Sequence, residues 1–140
     1  MRALAAGALA ALLVGCGGTA NADASVRTTV TAYFAALRHA DSRGACRMLT
    51  EPSQEKLGEF GHDVLKTGHK TCPAAFTALF RSVAGPRLRS LPTTRITRVT
   101  RSGDRATARV RGIGGPIRLE HTKDGWRIES EPAVEPDKAG

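Results

Sequence analysis

The spacing of apolar residues changes once along this chain, near Pro92, and that change restricts the folds open to it. From residue 26 to residue 83 apolar residues recur every three or four positions, as on one face of an amphipathic helix. From residue 105 to residue 130 they alternate with polar residues, as in strands with one buried face. Helices followed by an antiparallel sheet predict an α+β domain.

Capping residues place the first two predicted helices. Ser25 is a favourable N-cap, and the residues after it repeat at helical spacing as far as His39-Ala40. Asp41 is expected to cap a second, shorter helix that runs to Leu49. The residues just before Ser25 are small and polar, so we expect a flexible tether there.

Proline and glycine place the next two helices. A third short helix is predicted over 52–60, with Gly61 at its end. Cys72-Pro73 is predicted to begin a fourth helix, because proline lacks only an N–H that the first turn leaves unbonded. The apolar stripe of this helix extends to Val83, and Gly85-Pro86 is expected to end it.

Turn residues divide the C-terminal part into about four strands, which form a curved antiparallel meander with one buried face. The turns are expected at Ser102-Gly103-Asp104, at 112–116 and at Lys123-Asp124-Gly125. Ile96 and Val99 are both apolar but fall on opposite faces by strict alternation. We therefore expect a bulge or a late strand start between them.

The apolar stripes of the helices and the apolar face of the sheet must bury against each other, because the domain has no other apolar surface to use. Trp126 is expected to contribute most to this core. The predicted core residues are Val30, Phe34, Leu37, Leu49, Phe76, Leu79, Phe80, Val110, Leu119, Trp126 and Ile128.

The order of these elements resembles the nuclear transport factor 2-like fold, in which helices and a curved sheet form a cone. Val30-x-x-Tyr33-Phe34-x-x-Leu37, followed by Asp41, is similar to small actinobacterial lipoproteins of this fold. Gly103-Asp104-x-Ala106 and Asp124-Gly125-Trp126-x-Ile128 continue the resemblance. It implies a cone with a pocket at its mouth. It implies no single activity, because the relatives include isomerases, dehydratases, cyclases and binding proteins.

An apolar N-terminal stretch ends at a cysteine. Arg2 precedes the apolar residues 3–14, a segment with the length of a signal-peptide core that is too short to span a bilayer. Leu13-Val14-Gly15-Cys16 is similar to the lipobox of bacterial lipoproteins. The resemblance implies cleavage before Cys16 and a diacylglyceryl group on its thiol, which would tether the protein to the extracytoplasmic face of the cell membrane. The alternative is an ordinary secretory signal cleaved a few residues later.

These features divide the chain into four parts. They are a lipoprotein signal peptide at 1–15, a lipidated tether at 16–23, an α+β domain at 24–131 and a flexible tail at 132–140. Two prolines and alternating charges predict the tail.

The chain is basic, with a formal net charge of +8 and far more arginine than lysine. A basic surface favours anionic partners such as nucleic acid, an acidic wall polymer or lipid headgroups. A GC-rich genome produces the same composition without any such function. Export argues against nucleic acid, and one Tyr and one Trp are too few for a base-stacking platform. Attraction to an anionic wall polymer or to headgroups is retained as a secondary property.

Two cysteines remain when Cys16 carries lipid. In an exported protein Cys46 and Cys72 predict one disulfide bond, which would join the second predicted helix to the fourth. The alternatives are two buried free thiols, or a zinc site that adds His62 and His69 to the two cysteines. The sequence contains no Cys-x-x-Cys pair, so we predict neither a metal nor redox catalysis, and we expect no cofactor.

Related isomerases and dehydratases hold an Asp, a His or a Tyr inside the cone as acid or base. Tyr33, His121 and Trp126 are our candidates for the lining of such a pocket, and the alternative for each is a packed residue of the core or its rim. Further acid–base candidates are Asp41, better explained as a cap, Asp63, expected to be solvated, and Glu129, expected to face outward. No two of these groups stand at a spacing that implies an acid–base couple, so no catalytic residue is assigned.

The sequence therefore predicts a membrane-anchored envelope lipoprotein that is not an enzyme. It would bind a partner protein, a wall component or a small apolar ligand. The alternative is a small isomerase-like or dehydratase-like enzyme that uses a pocket in the cone. The interior distinguishes the two, because an enzyme needs an open cavity in which His121 or Tyr33 faces a carboxylate.

Overall fold

The computed structural model describes the backbone of residues 18–130, with side chains from residue 21 onward, as five helices followed by a four-stranded antiparallel sheet. The elements are α1 (Gly18–Arg38), α2 (Ser42–Arg47), α3 (Glu51–Asp63), α4 (Cys72–Arg81), α5 (Gly85–Arg89), β1 (Ile96–Ser102), β2 (Arg105–Val110), β3 (Ile117–Thr122) and β4 (Gly125–Glu129). This order confirms the predicted α+β class. The predicted signal peptide, Cys16 and the predicted tail lie outside the described residues.

Helix α1 begins earlier than predicted. It starts at Gly18, so residues 18–23, which we expected to be a flexible tether, are helical. The Ser25 hydroxyl donates to the carbonyl of Asn21 one turn earlier, which is an arrangement of the helix interior and not of an N-cap. Alanines at positions 20, 22 and 24 supply helix propensity in a segment whose small residues suggested flexibility.

Side-chain oxygens cap the next three helices. Asp41 accepts from the N–H of Gly44 at 2.9 Å at the start of α2, as predicted. Thr50 and Thr71 accept from the N–H groups three residues later, at the starts of α3 and α4. Each threonine is followed by a proline in the first helical turn. These caps satisfy N–H groups that the helices themselves leave unbonded.

The predicted ends of three helices are wrong. Helix α2 ends at Arg47, so Leu49 lies outside it and forms a bridge with Ile128 of β4. Helix α3 passes through Gly61, where an added Cβ would come 2.6 Å from that of Ala75 on α4. The glycine therefore permits the close approach of two helices and does not end one. Helix α4 ends at Arg81, Val83 is fully exposed, and Gly85 begins the unpredicted helix α5.

The strands form the predicted meander, in the order β1-β2-β3-β4. The predicted bulge is confirmed. Ile96 pairs with Val110 but Arg98 pairs with Arg109, so one extra residue of β1 lies between the two pairs. As a result Ile96 and Val99 both pack against the core, although three positions separate them.

The connection between α2 and α3 closes the free edge of β4. The N–H of Thr50 donates to the carbonyl of Ile128 at 2.9 Å, and the N–H of Ile128 donates to the carbonyl of Met48 at 2.7 Å. This segment therefore adds to the sheet as a short parallel bridge. Beyond it, the N–H of Ser130 donates to the Ser53 hydroxyl at 3.1 Å. The edge that would otherwise expose unpaired backbone groups is thus bonded to the helical part.

The core lies between the helices and the sheet. The predicted core residues are all buried except Leu79, which is half-buried and packs against the others. Trp126 is 5% exposed, and the buried Thr29 hydroxyl of α1 donates to its carbonyl at 3.1 Å. The apolar stripes of the helices and the apolar face of the sheet therefore pack against each other, as the helical and strand spacings in the sequence predict.

Replacing Trp126 with alanine should lower the free energy of unfolding by about 3–5 kcal/mol, because loss of a buried indole leaves a cavity in the core. Urea denaturation of the variant measures this loss. Val83→Ala is the matched control, and it should change stability by less than about 0.5 kcal/mol because Val83 is fully exposed. A loss below about 1 kcal/mol for the Trp126 variant would contradict the core assignment.

Candidate functional site

The three residues expected to line a pocket do not share one. Trp126 and His121 are cross-strand partners, and their ring centroids lie 5.1 Å apart. The His121 side chain is 51% exposed, with its Nδ1 4.0 Å from the Asp104 carboxylate, too far for a hydrogen bond. The Tyr33 hydroxyl instead forms a hydrogen bond with the Ser130 side chain. Ser130 comes four residues after Trp126, which corresponds to roughly 13 Å of extended chain between these two residues. Tyr33, His121 and Trp126 line none of the four best-formed depressions among the described residues.

Tyr33 has the contacts of a structural residue. Its ring packs edge-on against Phe34 and Phe76, with centroid distances of 5.5 and 6.4 Å. Burial raises the pKa of Tyr33 to about 12, and the hydrogen bond with the Ser130 side chain offsets part of that rise. A hydroxyl with this pKa stays protonated at neutral pH, so Tyr33 is unsuited to act as a general base there.

The other acid–base candidates have structural or solvent contacts. Asp41 caps α2 as predicted. Asp63 is exposed, and a hydrogen bond with His62 is the main cause that lowers the pKa of its carboxyl. Glu129 is half-buried and forms an ion pair with Arg105. Each of these carboxylates therefore has a role that needs no substrate.

Cys46 and Cys72 lie at the distance of a disulfide bond, with Sγ atoms 2.07 Å and Cα atoms 6.0 Å apart. Both are buried, and the pair joins α2 to α4 as predicted. The zinc alternative has no geometric support, because His62 bonds to Asp63. Within the described part of the chain, no group of three or more His, Cys, Asp or Glu side chains could hold a metal ion.

The face of the sheet turned away from the core, which we call the outer face, carries charged residues on all four strands. One cross-strand row is Ser102, Arg105, Glu120 and Arg127, and the next is Thr100, Thr107, Arg118 and Glu129. Arg105 reaches across β3 to pair with Glu129. Both rows therefore contain arginine together with glutamate, and their charges largely compensate.

Depressions open along this face. One of about 420 Å³ lies among Thr100, Thr107 and Arg118. A larger one, of about 680 Å³, lies where Arg127 faces the connection between α2 and α3. A third, of about 180 Å³, lies between them and shares Glu120 with the second. Guanidinium and carboxylate groups line all three depressions, and the charged groups give this surface the means to hold a charged partner, while the exposed lining of the first depression is mostly apolar.

The sequence did not predict the outer face as a candidate site. The alternation of Thr107, Arg109 and Arg111 opposite the apolar positions of β2 was visible, but it indicated only a solvated strand face. The strand register, which brings arginines of different strands side by side, is the information that was lacking. The expected bulge was a usable signal, because a bulge reverses the alternation of every residue on one side of it.

Comparison of the chain with known protein families, with curated proteins and with solved structures finds no match in any of the three. The resemblance to lipoproteins of the nuclear transport factor 2-like fold therefore stays a prediction. No helix within residues 18–130 has both the length and the apolar character needed to cross a membrane.

Loss of the Cys46–Cys72 bond should lower the free energy of unfolding by about 3.5 kcal/mol, because the bond joins residues 26 positions apart and restricts the unfolded chain. Denaturation of the double variant Cys46→Ala/Cys72→Ala measures this, and Cys16→Ala is the control that should leave stability unchanged. Peptide mapping without reductant should recover the two cysteine peptides joined. Alkylation of both thiols without reduction would contradict the bond.

The ionisation of Tyr33 can be followed directly, because the chain has one tyrosine. Tyrosinate absorbance should titrate with a midpoint of about 12 in the folded protein, against 10.0 for an ordinary tyrosine. Since the unfolded state ionises first, the stabilising effect is complete below pH about 10 and is lost as the pH rises towards about 12. Tyr33→Phe should remove the absorbance change and this part of the alkaline destabilisation. A folded-state midpoint near 10 would contradict the buried hydroxyl.

Proposed function

We propose that this chain is a lipid-anchored protein of the bacterial envelope that binds an acidic component of that envelope without catalysing a reaction. The observation that carries the proposal is the unequal use of the two faces of the sheet. One face of the sheet packs against the helices in the core, and the other face exposes rows of arginine and open depressions to solvent. A binding surface on the outer face needs no change in the fold.

The non-enzymatic part of the proposal is supported by the placement of the candidate groups. Tyr33 and His121 lie towards different ends of β4, and neither lines a described depression. Their nearest polar partners are Ser130 and Asp104, the latter on the surface. An acid–base mechanism needs two such groups within reach of one substrate atom, and this arrangement does not supply them.

The anchor is supported by the sequence pattern that ends at Cys16. Helix α1 begins at Gly18, two positions later. At about 3.5 Å per extended residue, a lipid on Cys16 would hold the start of α1 within roughly 7 Å of its attachment point. This short link would fix which end of the domain is next to the bilayer.

Intact-mass measurement of the protein extracted with detergent from native membranes tests the anchor. The mature chain should begin at Cys16 and carry added acyl mass, because the thiol is the expected attachment point. Cys16→Ala should leave the chain unprocessed or release it from the membrane fraction, whereas Cys46→Ala should not. A membrane-bound chain that starts elsewhere, or one without acyl mass, would overturn the lipoprotein assignment.

A further inference from the structure

The bulge in β1 gathers four arginines on the outer face. Arg98 pairs with Arg109 on one side of it, and on the other side the carbonyl of Arg95 accepts from the N–H of Arg111 at 2.8 Å. In a regular strand residues 95 and 98 would point to opposite faces, because an odd number of positions separates them. The extra residue, Thr97, returns both to the outer face. We call Arg95, Arg98, Arg109 and Arg111 the arginine quartet.

The quartet lacks the compensating charges of the neighbouring rows. All four residues are exposed, and among the described residues none of their guanidinium groups has a hydrogen bond or an ion pair. Opposed residues on paired strands have Cβ atoms about 5 Å apart, and like charges at that distance destabilise a sheet. Along β2, Arg109 and Arg111 are only about 7 Å apart. The quartet is therefore a concentrated positive charge that a bound anion would stabilise.

Protection of the sheet edge does not account for the whole quartet. Charged residues on an edge strand prevent pairing with other chains, and this explains Arg95 and Arg98 beside the open edge of β1. Arg109 lies on the inner strand β2, where β1 covers it through Arg98, and it is one position beyond the Ala108–Ile117 pair that joins β2 to β3, so it is not on the open edge of β1. Its placement directly opposite Arg98 needs another explanation.

We infer that the quartet binds the phosphate groups of a linear anionic polymer. This inference rests on the proposed function, and it names the acidic component that the outer face would bind. Guanidinium groups present paired N–H donors whose geometry matches phosphate oxygens, and they remain charged at every physiological pH. Two opposed arginine pairs, about 7 Å apart along β2, can contact successive charges of one polymer chain.

The surroundings of the quartet favour a polymer over the bilayer surface. Surfaces that bind membranes combine basic residues with apolar or aromatic side chains that enter the lipid. The residues next to the quartet along β1 and β2 on the outer face are Thr97, Thr100 and Thr107, and Arg118 follows on β3. The large apolar side chains that are exposed in the described part of the chain, Val64 and Val83, follow α3 and α4 and belong to no strand of the sheet.

Titration with sodium polyphosphate tests the inference. The chain used is full-length and carries Cys16→Ala, so the result does not depend on lipidation. Arg98→Gln/Arg109→Gln in this background should weaken binding about tenfold or more, and should reduce the salt dependence of the affinity by about two phosphate contacts. Arg43→Gln/Arg87→Gln removes the same charge from exposed helical positions and should change affinity less than about twofold. The Arg98/Arg109 variant should melt at or above the temperature of its parent, because an opposed like-charge pair is removed.

Three results would overturn the inference. The first is no polyphosphate binding by the parent chain, and the second is an equal loss in the two double variants, which would indicate attraction by net charge alone. The third is binding to vesicles of phosphatidylglycerol and phosphatidylcholine that depends on the quartet more than polyphosphate binding does, which would make the membrane the occupant. Since all these chains lack the lipid, a failure here is separate from a failure of the anchor, which the mass measurement reports.

Discussion

Strand β4 is bonded on both sides, and the rest of the structure depends on this. Strand β3 pairs with one edge, while the segment at 48–50 and the Ser53 hydroxyl bond to the other. The Thr29 hydroxyl of α1 adds a buried bond to the same strand. The Cys46–Cys72 pair then joins α2, next to that segment, to α4. Helices and sheet therefore cannot separate without losing backbone hydrogen bonds that water would have to replace.

This way of joining the two layers determines where a ligand can bind. On the helix side of the sheet the hydroxyls of Tyr33 and Ser130 are hydrogen-bonded to each other. A buried hydroxyl used in this way stabilises one packing arrangement, and its loss would leave a partner unsatisfied. The side chains of the outer face are not needed to stabilise the packing of the core in this way. Its side chains are consequently available to a partner without cost to the core.

Local patterns in the sequence predicted local features, and contacts between distant residues decided the rest. The Asp41 cap, the apolar stripes that form the core and the β1 bulge follow from spacing within short segments, and the Cys46–Cys72 pair follows from the number of cysteines in an exported chain. The continuation of α3 through Gly61 depends on Ala75 of another helix, and no short segment contains that information. The candidate site was missed for the same reason, because the proximity of arginines on different strands is set by register.

Composition explains how many arginines the chain has, whereas register explains where they lie. A GC-rich genome would place arginine at any exposed position, including rows in which Glu120 or Glu129 offsets its charge. Arg98 opposite Arg109 is different, because the bulge creates a like-charge pair that a regular strand would have avoided. Small domains have net stabilities of only about 5–15 kcal/mol, so a repulsive pair without structural benefit is a meaningful cost. Unfavourable local arrangements of this kind are concentrated at functional sites, so the binding site is expected at the quartet and not in the interior.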